Sequence, residues 1–590
     1  MKFSDLTIYF EELEATSSRI ELTNILSDLL KKLSPEEIDK VAYLLQGRVV
    51  PFYEPIEIGM ADKMVDQAIA SACNVSRENV QKLSAKLGDM GLVVEQLSGG
   101  KKGSKLTISD VHEGLYKIAN TSGEGSVGKK INVLAGLLKE LDAKSAKHLV
   151  KITLSKLRLG IGDPTVLDAL SVAKEGDKSA RPVLEEAYNK TSDLGFVAKK
   201  YWSAASAQDA LKAVKKVELQ VGKPVRPALA ERLPDAESVV KRMGEEFAVE
   251  PKYDGFRNQV HLDRRQKADS GKQVQIFSRN LENMTHMFPD LVEAVKKEVN
   301  AKSTIFEGEA IAFNPVTEEF LPFQETTKRR RKYSVEEFAA KLPLKLFAFD
   351  LLYLNGNDIT NLSYKERRKK LSQIISSEGQ IMVAKEEILH SSQELTKMFE
   401  EQIASGLEGV MIKKLDAPYK AGNRGFHWVK FKRMAAGELS DTIDCVLLGI
   451  YTGTGKRTGF GVGGLLVGVY NQEKDEFVTV SRIGTGLTDD EFRKVNQIAQ
   501  KIKVDKKPAR VSSLINPSYW VEPKEVLEIF ADEITRSPVH TAGKVGDEPG
   551  YALRFPRLIS FRGGDKRAED ATTVKELIKM YQQQKNIKVR

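Results

Sequence analysis

Glu250-Pro251-Lys252-Tyr253-Asp254-Gly255-Phe256-Arg257 lies between two short runs that read as strands, one carrying Phe247 and Val249 and the other running from Phe256 to Leu262. A lysine at such a turn presents its ε-amino group to a ligand. To act as a nucleophile the amine must be neutral, so its ordinary pKa near ~10.4 has to be lowered by neighbouring positive charge or by desolvation. The stretch therefore predicts further cations close to Lys252. The bland alternative is a solvated lysine in a turn, and for the tetrapeptide Lys252-Tyr253-Asp254-Gly255 alone that alternative would win.

Three other segments supply what the lysine needs. Trp428-Val429-Lys430-Phe431-Lys432 alternates with period two, which places Lys430 and Lys432 on one face of a strand, about 7 Å apart, with Val429 and Phe431 on the other. That basic face suits a phosphate: the same cations lower the pKa of Lys252 and neutralise charge on a phosphorus centre under attack. Phe306-Glu307-Gly308-Glu309-Ala310 and Glu408-Gly409-Val410-Met411-Ile412-Lys413 both read as strands with a carboxylate near one end. Hard carboxylate oxygens beside phosphates are the donors Mg2+ takes.

Outward from this centre the chain divides into three regions. From the start to about Leu219 it reads as helices. Ser34-Pro35-Glu36-Glu37 predicts one start, with Ser34 as cap, Pro35 at the first helical position and Glu37 completing a capping box before Ile38, Val41, Leu44 and Leu45. After Gly222-Lys223-Pro224 the pattern changes to short alternating runs broken by turn signals such as Asn355-Gly356. Past Arg433, the segments IDCVLLGIYTG, GLLVGVY, FVTVSRIG and LRFPRLISF predict a small, mostly β unit with a helical tail from Thr573 to Gln583. The expected domains are 1–222, all-helical; 223–433, mixed α/β; and 434–590, a small β barrel of the oligonucleotide-binding type with its tail. A chain of 590 residues is long enough for three cores.

Composition sets limits without choosing a function. The two cysteines, Cys73 and Cys445, are too few for a disulfide framework or a four-thiolate zinc site. The N-terminus carries Asp5, Glu11 and Glu12 where a secretory signal would be apolar, and no stretch approaches ~20 apolar residues. The expectation is a cytoplasmic, nucleoid-associated protein that does not enter a membrane. Lys and Arg number 91 against 82 Asp and Glu, a formal charge of +9 that permits a polyanionic partner.

Taken together, Lys252-Tyr253-Asp254-Gly255-Phe256-Arg257, Ser278-Arg279-Asn280, Glu307-Gly308-Glu309, LFAFDLLYLNG, EGVMIKK, WVKFKR and LRFPRLISFRGGDKRAEDATT form an ordered series. In this order they resemble the motifs of the ATP-dependent DNA ligases, the archaeal and eukaryotic replicative type among the covalent nucleotidyltransferases. SGEGSVGKKINVLAGLL and LRLGIGDPTVLDAL extend the resemblance through the helical region. It implies a ligase that seals nicks in double-stranded DNA during replication, recombination and repair, with ATP and Mg2+ as cofactors. It implies Lys252 as the adenylated nucleophile, Glu250 as an adenine contact, and Arg257, Arg279 and Arg424 on the phosphates or ribose. Glu309 would touch the ribose or a metal, Phe349 would stack on the base, Glu408 would be the chief metal carboxylate, and Lys430 with Lys432 would hold the α-phosphate. Arg562, Asp565 and Lys566 would close over the pyrophosphate. One glycine more than the family pattern stands in Arg562-Gly563-Gly564-Asp565-Lys566, which predicts a lengthened loop with activity retained.

Two loops of the helical region are expected to meet DNA. Gly160-Ile161-Gly162-Asp163-Pro164 reads as the end of one helix and the start of another, with Asp163 as cap, so free N–H groups could take a phosphate beside Arg158, Lys156 and Lys151. Ser122-Gly123-Glu124-Gly125-Ser126, followed by Lys129 and Lys130, is the second. Contacts of this kind read backbone and groove shape, as an enzyme accepting any sequence requires. Lys328 to Lys332, KRRRK, is read as a solvated charge run. The expected partner is nicked duplex DNA bound by a monomer, with a sliding clamp left open. RNA ligases and GTP-using capping enzymes share the lysine motifs but not the large helical region, and two cysteines cannot supply the zinc module of the NAD-dependent ligases.

Overall fold

The computed structural model describes the chain apart from residues 100–103, 234, 268–270, 315–318, 322–324, 327, 332, 405–406, 408, 423, 433–441, 453–460, 485–486, 532 and 587–590, and the side chains of 403–404, 424, 432 and 583–586. It forms two compact units, Met1–Glu218 and Leu219–Arg590. Among the described residues no helix is long and apolar enough to cross a membrane.

Among the described residues the named elements of the first unit are all helices, from Phe3–Ala15 to Ala207–Lys215. Local chemistry starts these helices: Ser18 caps Arg19–Lys31, and Thr107 with Asp110 forms a capping box on Ile108–Asn120. At Ser34 the expected start is one turn early. Glu37 accepts the backbone N–H of Ser34 at 3.1 Å, but residues 35–37 form a turn and the helix runs Ile38–Leu45. The Ser34 hydroxyl makes no cap, and Glu37 is held instead by the N-terminal ammonium of Met1. The expected apolar face is buried all the same, with Ile38, Val41, Leu44 and Leu45 inside. Helix Ala143–Thr153 is fixed to Phe3–Ala15 by Lys147, which sits between Glu11 and Glu14, and by His148, whose pKa burial pushes down to about 4.

The second unit contains two facing sheets and a third, larger one. The strands of the facing pair, in chain order, are β1 (Leu229–Arg232), β2 (Phe247–Pro251), β3 (Phe256–Asp263), β4 (Val274–Ser278), β5 (Ser303–Ala312), β6 (Leu344–Leu354), β7 (Asn357–Asp358), β8 (Ile381–Val383), β9 (Glu387–Leu389), β10 (Gly409–Lys414) and β11 (Arg424–Lys432). One sheet has the order β1-β11-β10-β2-β9, the other β4-β3-β5-β6-β7 with β8 beside β6. Alternation decides which faces meet. In the first sheet Phe247, Val249, Val410, Ile412 and Val429 point outward into a core under helices Ala236–Met243 and Ser392–Ala404, leaving Glu250, Met411 and Lys430, in register on neighbouring strands, on the inner face. In the second, Val260, Ile276, Phe306 and Ala310 pack outward, and Arg257 and Glu309 face in. The Asn355-Gly356 turn between β6 and β7 has positive φ at both residues, 49° and 103°, as a tight hairpin requires.

Beyond the facing sheets, β12 (Ile443–Tyr451), β13 (Gly464–Asn471) and β14 (Glu476–Ile483) build the sheet that carries the C-terminal region. Four more of its strands are β15 (Lys503–Val504), β16 (Val511–Ser512), β17 (Tyr519–Val521) and β18 (Val526–Phe530). A separate hairpin, β19 (Glu533–Ser537) and β20 (Gly550–Arg554), follows; β21 (Arg557–Phe561) then returns to pair with β18, and helix Val574–Asn586 ends the described chain.

Helix Tyr364–Ile374 is locked to β6 by a buried ion pair: Arg367 grips Asp350 through two bonds of 2.8 and 2.9 Å and donates to the carbonyls of Leu362 and Ala417. Both side chains are fully buried. Removing one partner leaves a buried charge uncompensated. Arg367→Met should therefore cost about 3–5 kcal/mol, read as a lowered urea midpoint by tryptophan fluorescence, with Trp428 and Trp520 reporting from this unit.

Candidate active site

The turn carrying Lys252 passes from one facing sheet to the other, because β2 belongs to the first and β3 to the second. Two contacts fix it. The Lys252 N–H donates to the Gly409 carbonyl at 2.9 Å, and Gly255 lies so close to β5 that a Cβ there would stand 2.3 Å from the Ala310 carbonyl oxygen. The pocket between the sheets holds Lys252 together with Arg257, Arg279, Lys413 and Lys430. These are the cations the sequence predicts around a nucleophilic lysine.

Each cation is oriented by a definite partner set. Arg257 donates to the Ala228 carbonyl at 2.7 Å and to Glu307 at 2.8 Å; burial opposes its charge, and Glu307 more than restores it. Tyr419 donates to the same Glu307 at 2.8 Å. Burial lowers the pKa of Lys413 against the pull of Glu250, its partner at 2.7 Å. Burial also lowers that of Arg279, with Asp570, Asp565 and Asp444 opposing from the C-terminal region. Aromatic walls complete the pocket: Phe349 meets Trp428 edge-on at 5.8 Å, and Lys413 lies 4.7 Å from the Trp428 centroid. Tyr253 stacks on Phe347 at 4.4 Å, its hydroxyl pushed up to about 12 by burial and then by Glu250.

The C-terminal region supplies the remaining wall, with Asp444, Arg562, Asp565, Lys566 and Asp570 lining the same pocket. Lys566 is paired with Asp444, and Arg562 with Asp565 at 2.8 Å. Burial raises the Asp444 pKa, but Lys566 and Arg562 outweigh it and hold the carboxyl well below its usual range. Arg330 reaches across from the facing-sheet side to the Gly564 carbonyl at 2.8 Å. The additional glycine fits because Gly563 lies against the Glu525 carboxylate, where a Cβ would stand 2.2 Å from an oxygen.

Comparison with known proteins decides the family. Residues 2–171 match the DNA ligase N terminus, 227–432 the ATP dependent DNA ligase domain and 458–565 the ATP dependent DNA ligase C terminal region. The chain is 52% identical over 589 residues to a probable DNA ligase of Dictyoglomus turgidum, covering 100% of this chain and 99% of that protein. It is 40% identical over 606 residues to a DNA ligase of Sulfolobus acidocaldarius, with the same coverage. The chain belongs to the ATP-dependent DNA ligase family. It is accordingly an ATP-dependent DNA ligase in enzyme class, a nick-sealing activity.

Within this ligase, Lys252, Glu250, Arg257, Arg279, Glu309, Phe349, Lys430, Arg562, Asp565 and Lys566 come together in one pocket. Glu408 lies outside the described residues, as do the side chains of Arg424 and Lys432. Two expectations change. Glu307 and Glu309 sit in the middle of β5, not near its end, and their two-residue spacing places both on the inward face, Glu307 buried against Arg257. The arginines of KRRRK are not a solvated run: Arg329 is fully buried on Asp290 at 2.6 Å, Arg330 bridges to Gly564, and Arg331 covers Phe338, while Lys328 is exposed and Lys332 lies outside the described residues. Sequence reasoning assigns no role to Lys413, Trp428 or Asp444, all of which line the pocket. Asp444 had a signal, a lone carboxylate inside the apolar run IDCVLLGIY.

In the helical unit, Ser122, Gly123 and Gly125 form an exposed loop at the start of helix Ser126–Glu140. Gly162, not Asp163, caps helix Asp163–Glu175, and the preceding helix ends at Thr153, ten residues upstream. The Asp163 carboxylate is instead taken by Gln46 at 2.8 Å and by Tyr188. Arg158 is half-buried, and the Gly160 carbonyl accepts from Arg19. Lys151 and Lys156 are paired with Glu14 and Asp62. Segment Ile58–Asp62 touches Lys156 through Asp62 and Lys130 through the Ile58 carbonyl, so it adjoins both candidate loops.

Gly255→Ala should drive the Lys252 turn away from β5 and lower self-adenylation by about 100-fold or more, since a misplacement near 1 Å costs that much. Transfer of label from α-labelled ATP to the protein measures it.

Proposed function

We propose that the chain joins nicks by three phosphoryl transfers, beginning on Lys252. The observation that carries this reading is the meeting of Lys252, Arg279 and Lys430 with Arg562 and Lys566 in one pocket. Lys252 Nζ bonds to the α-phosphorus of ATP as the bond to pyrophosphate breaks; pyrophosphate leaves with the electron pair, and Nζ loses a proton. The adenylyl group then passes from Lys252 to a 5′-phosphate at the nick, and the adjacent 3′-hydroxyl displaces AMP. The residues contribute position and charge, which is most of what in-line phosphoryl transfer needs. Lys430 and Lys432 hold the α-phosphate, Arg257, Arg279 and Arg424 the ribose and phosphates, Phe349 the base, and Glu250 its edge.

The donor set fits Mg2+: the Glu309 carboxylate lines the pocket, and Glu408 would be its second ligand. The ion supplies neutralisation of phosphate charge when bound. Three domains follow as 1–222, 223–433 and 434–590. The sheet order β15-β17-β12-β13-β14-β16, with β18 on β12 and β21 on β18, supports an oligonucleotide-binding barrel for the last. Arg158, Gly160, Gly162, Ser122, Gly123 and Gly125 would meet the DNA backbone. The setting is replication, recombination and repair, by a monomer in the cytoplasm at the nucleoid, with a sliding clamp still open as a second partner.

Lys252→Arg keeps the charge but has no neutral amine to offer, and it should abolish covalent labelling by α-labelled ATP; nick sealing that survives this change would overturn the assignment. A chain ending at Arg433 retains Lys252 and Lys430 but loses Arg562, Asp565 and Lys566. It should lose self-adenylation while still joining a pre-adenylated nick slowly, since that last step releases no pyrophosphate. The two activities are measured side by side, and full adenylation by the shortened chain would remove the closure role.

A further inference from the structure

Glu250 and Lys413 line the pocket, and behind them lie three side chains that do not: Tyr364, Arg368 and Glu386. Their contacts determine how much of the Glu250 carboxylate is left for a ligand. Glu250 Oε1 faces the Tyr364 hydroxyl at 2.8 Å and Arg368 Nη1 at 3.3 Å. Oε2 accepts from Lys413 Nζ at 2.7 Å. A carboxylate oxygen takes about two hydrogen bonds. Oε1 is therefore held from behind by Arg368 and by the one Tyr364 proton it shares with Glu386, and Oε2 keeps one acceptor position. Arg368 is held on three sides, by Glu250, by the Ala384 carbonyl and by Glu386 at 3.7 Å. Glu386 shares the Tyr364 hydroxyl with Glu250. Lys413 is tied down as well, donating to the Phe349 carbonyl at 2.8 Å.

We infer that Arg368 and Tyr364 are positioning residues for base selection: they fix Glu250 so that a single acceptor faces the purine edge. The inference rests on the reading of Glu250 as the base contact. A purine with an exocyclic amine at its six-position gives that acceptor a proton. A six-oxo purine sets a second acceptor against it and leaves both unpaired, the mismatch that binding sites reject most strongly. Arg368 touches neither nucleotide nor reacting atoms; it acts through Glu250. Without it, Oε1 is released and the carboxylate can turn away from the base.

The test is self-adenylation of the full-length protein with ATP and with inosine triphosphate, giving kcat and KM separately for each. In Arg368→Met the KM for ATP should rise with kcat little changed, and selectivity, the ratio of kcat/KM for ATP over inosine triphosphate, should fall about tenfold. Tyr364→Phe removes one buried hydroxyl and keeps the ring, so it serves as the second variant should Arg368→Met fail to fold. It should lower the same ratio by a smaller factor. Equal losses on both nucleotides, or a fall in kcat with the ratio unchanged, would show a purely structural role and overturn the inference. Glu250→Gln separates this failure from that of the underlying reading. Its amide can donate to a six-oxo group, so the ratio should fall further still. An unmoved ratio in Glu250→Gln removes Glu250 as the base contact, whereas a ratio that moves there but in neither Arg368→Met nor Tyr364→Phe removes only the clamp.

Discussion

Everything in the pocket between the facing sheets depends on one close approach. At Gly255 the chain leaves the first facing sheet and lies directly on the Ala310 carbonyl of the second, with no room for a side-chain atom between them. That contact sets the spacing of the two polar inner faces. It places Lys252 at the rim of one and Arg257, two residues beyond the glycine, on the other. A wider junction would separate the lysine from Arg257, Arg279 and Lys430, which share the pocket with it.

Charge is the second organising quantity. The pocket gathers several cations in a desolvated space, which is costly unless each is balanced. The balance is built in pairs and forks: Arg257 with Glu307, Lys413 with Glu250, Lys566 with Asp444, Arg562 with Asp565. Two of these pairs come from the C-terminal region, so the wall it supplies brings its cations already neutralised. An entering polyphosphate then competes with carboxylates of the protein rather than meeting bare positive charge.

Much of this was legible in the chain itself, and the limits were physical. Strand alternation gave the inward face of β11 and the turn at Lys252 because period two leaves only two choices of face. Asn355-Gly356 gave its hairpin because few residues tolerate positive φ twice in succession. At Ser34 the apolar face is as expected but the cap is not: the ammonium of Met1 takes Glu37, a long-range contact no local pattern contains. KRRRK misled for the same reason: its burial is decided by Asp290 and Gly564, far away in sequence. Asp163 was assigned a cap role from its neighbours, while Gln46 and Tyr188 claim its carboxylate.

The lengthened Arg562-Gly563-Gly564-Asp565-Lys566 loop has a consequence for how this chain can vary. Gly563 is confined by a side chain, not by its own backbone angles, since the nearest obstruction is the Glu525 carboxylate. That carboxylate also accepts the Gly563 N–H, and burial raises its pKa. Positions 525 and 563 therefore vary together: a side chain at 563 would require the flexible Glu525 head to swing aside. A short residue at 525 would lift that restriction, at the loss of the acceptor that shapes the loop. Sequence drift in a loop beside the pocket is thus coupled to position 525, the residue just before β18, which carries none of the pocket's cations.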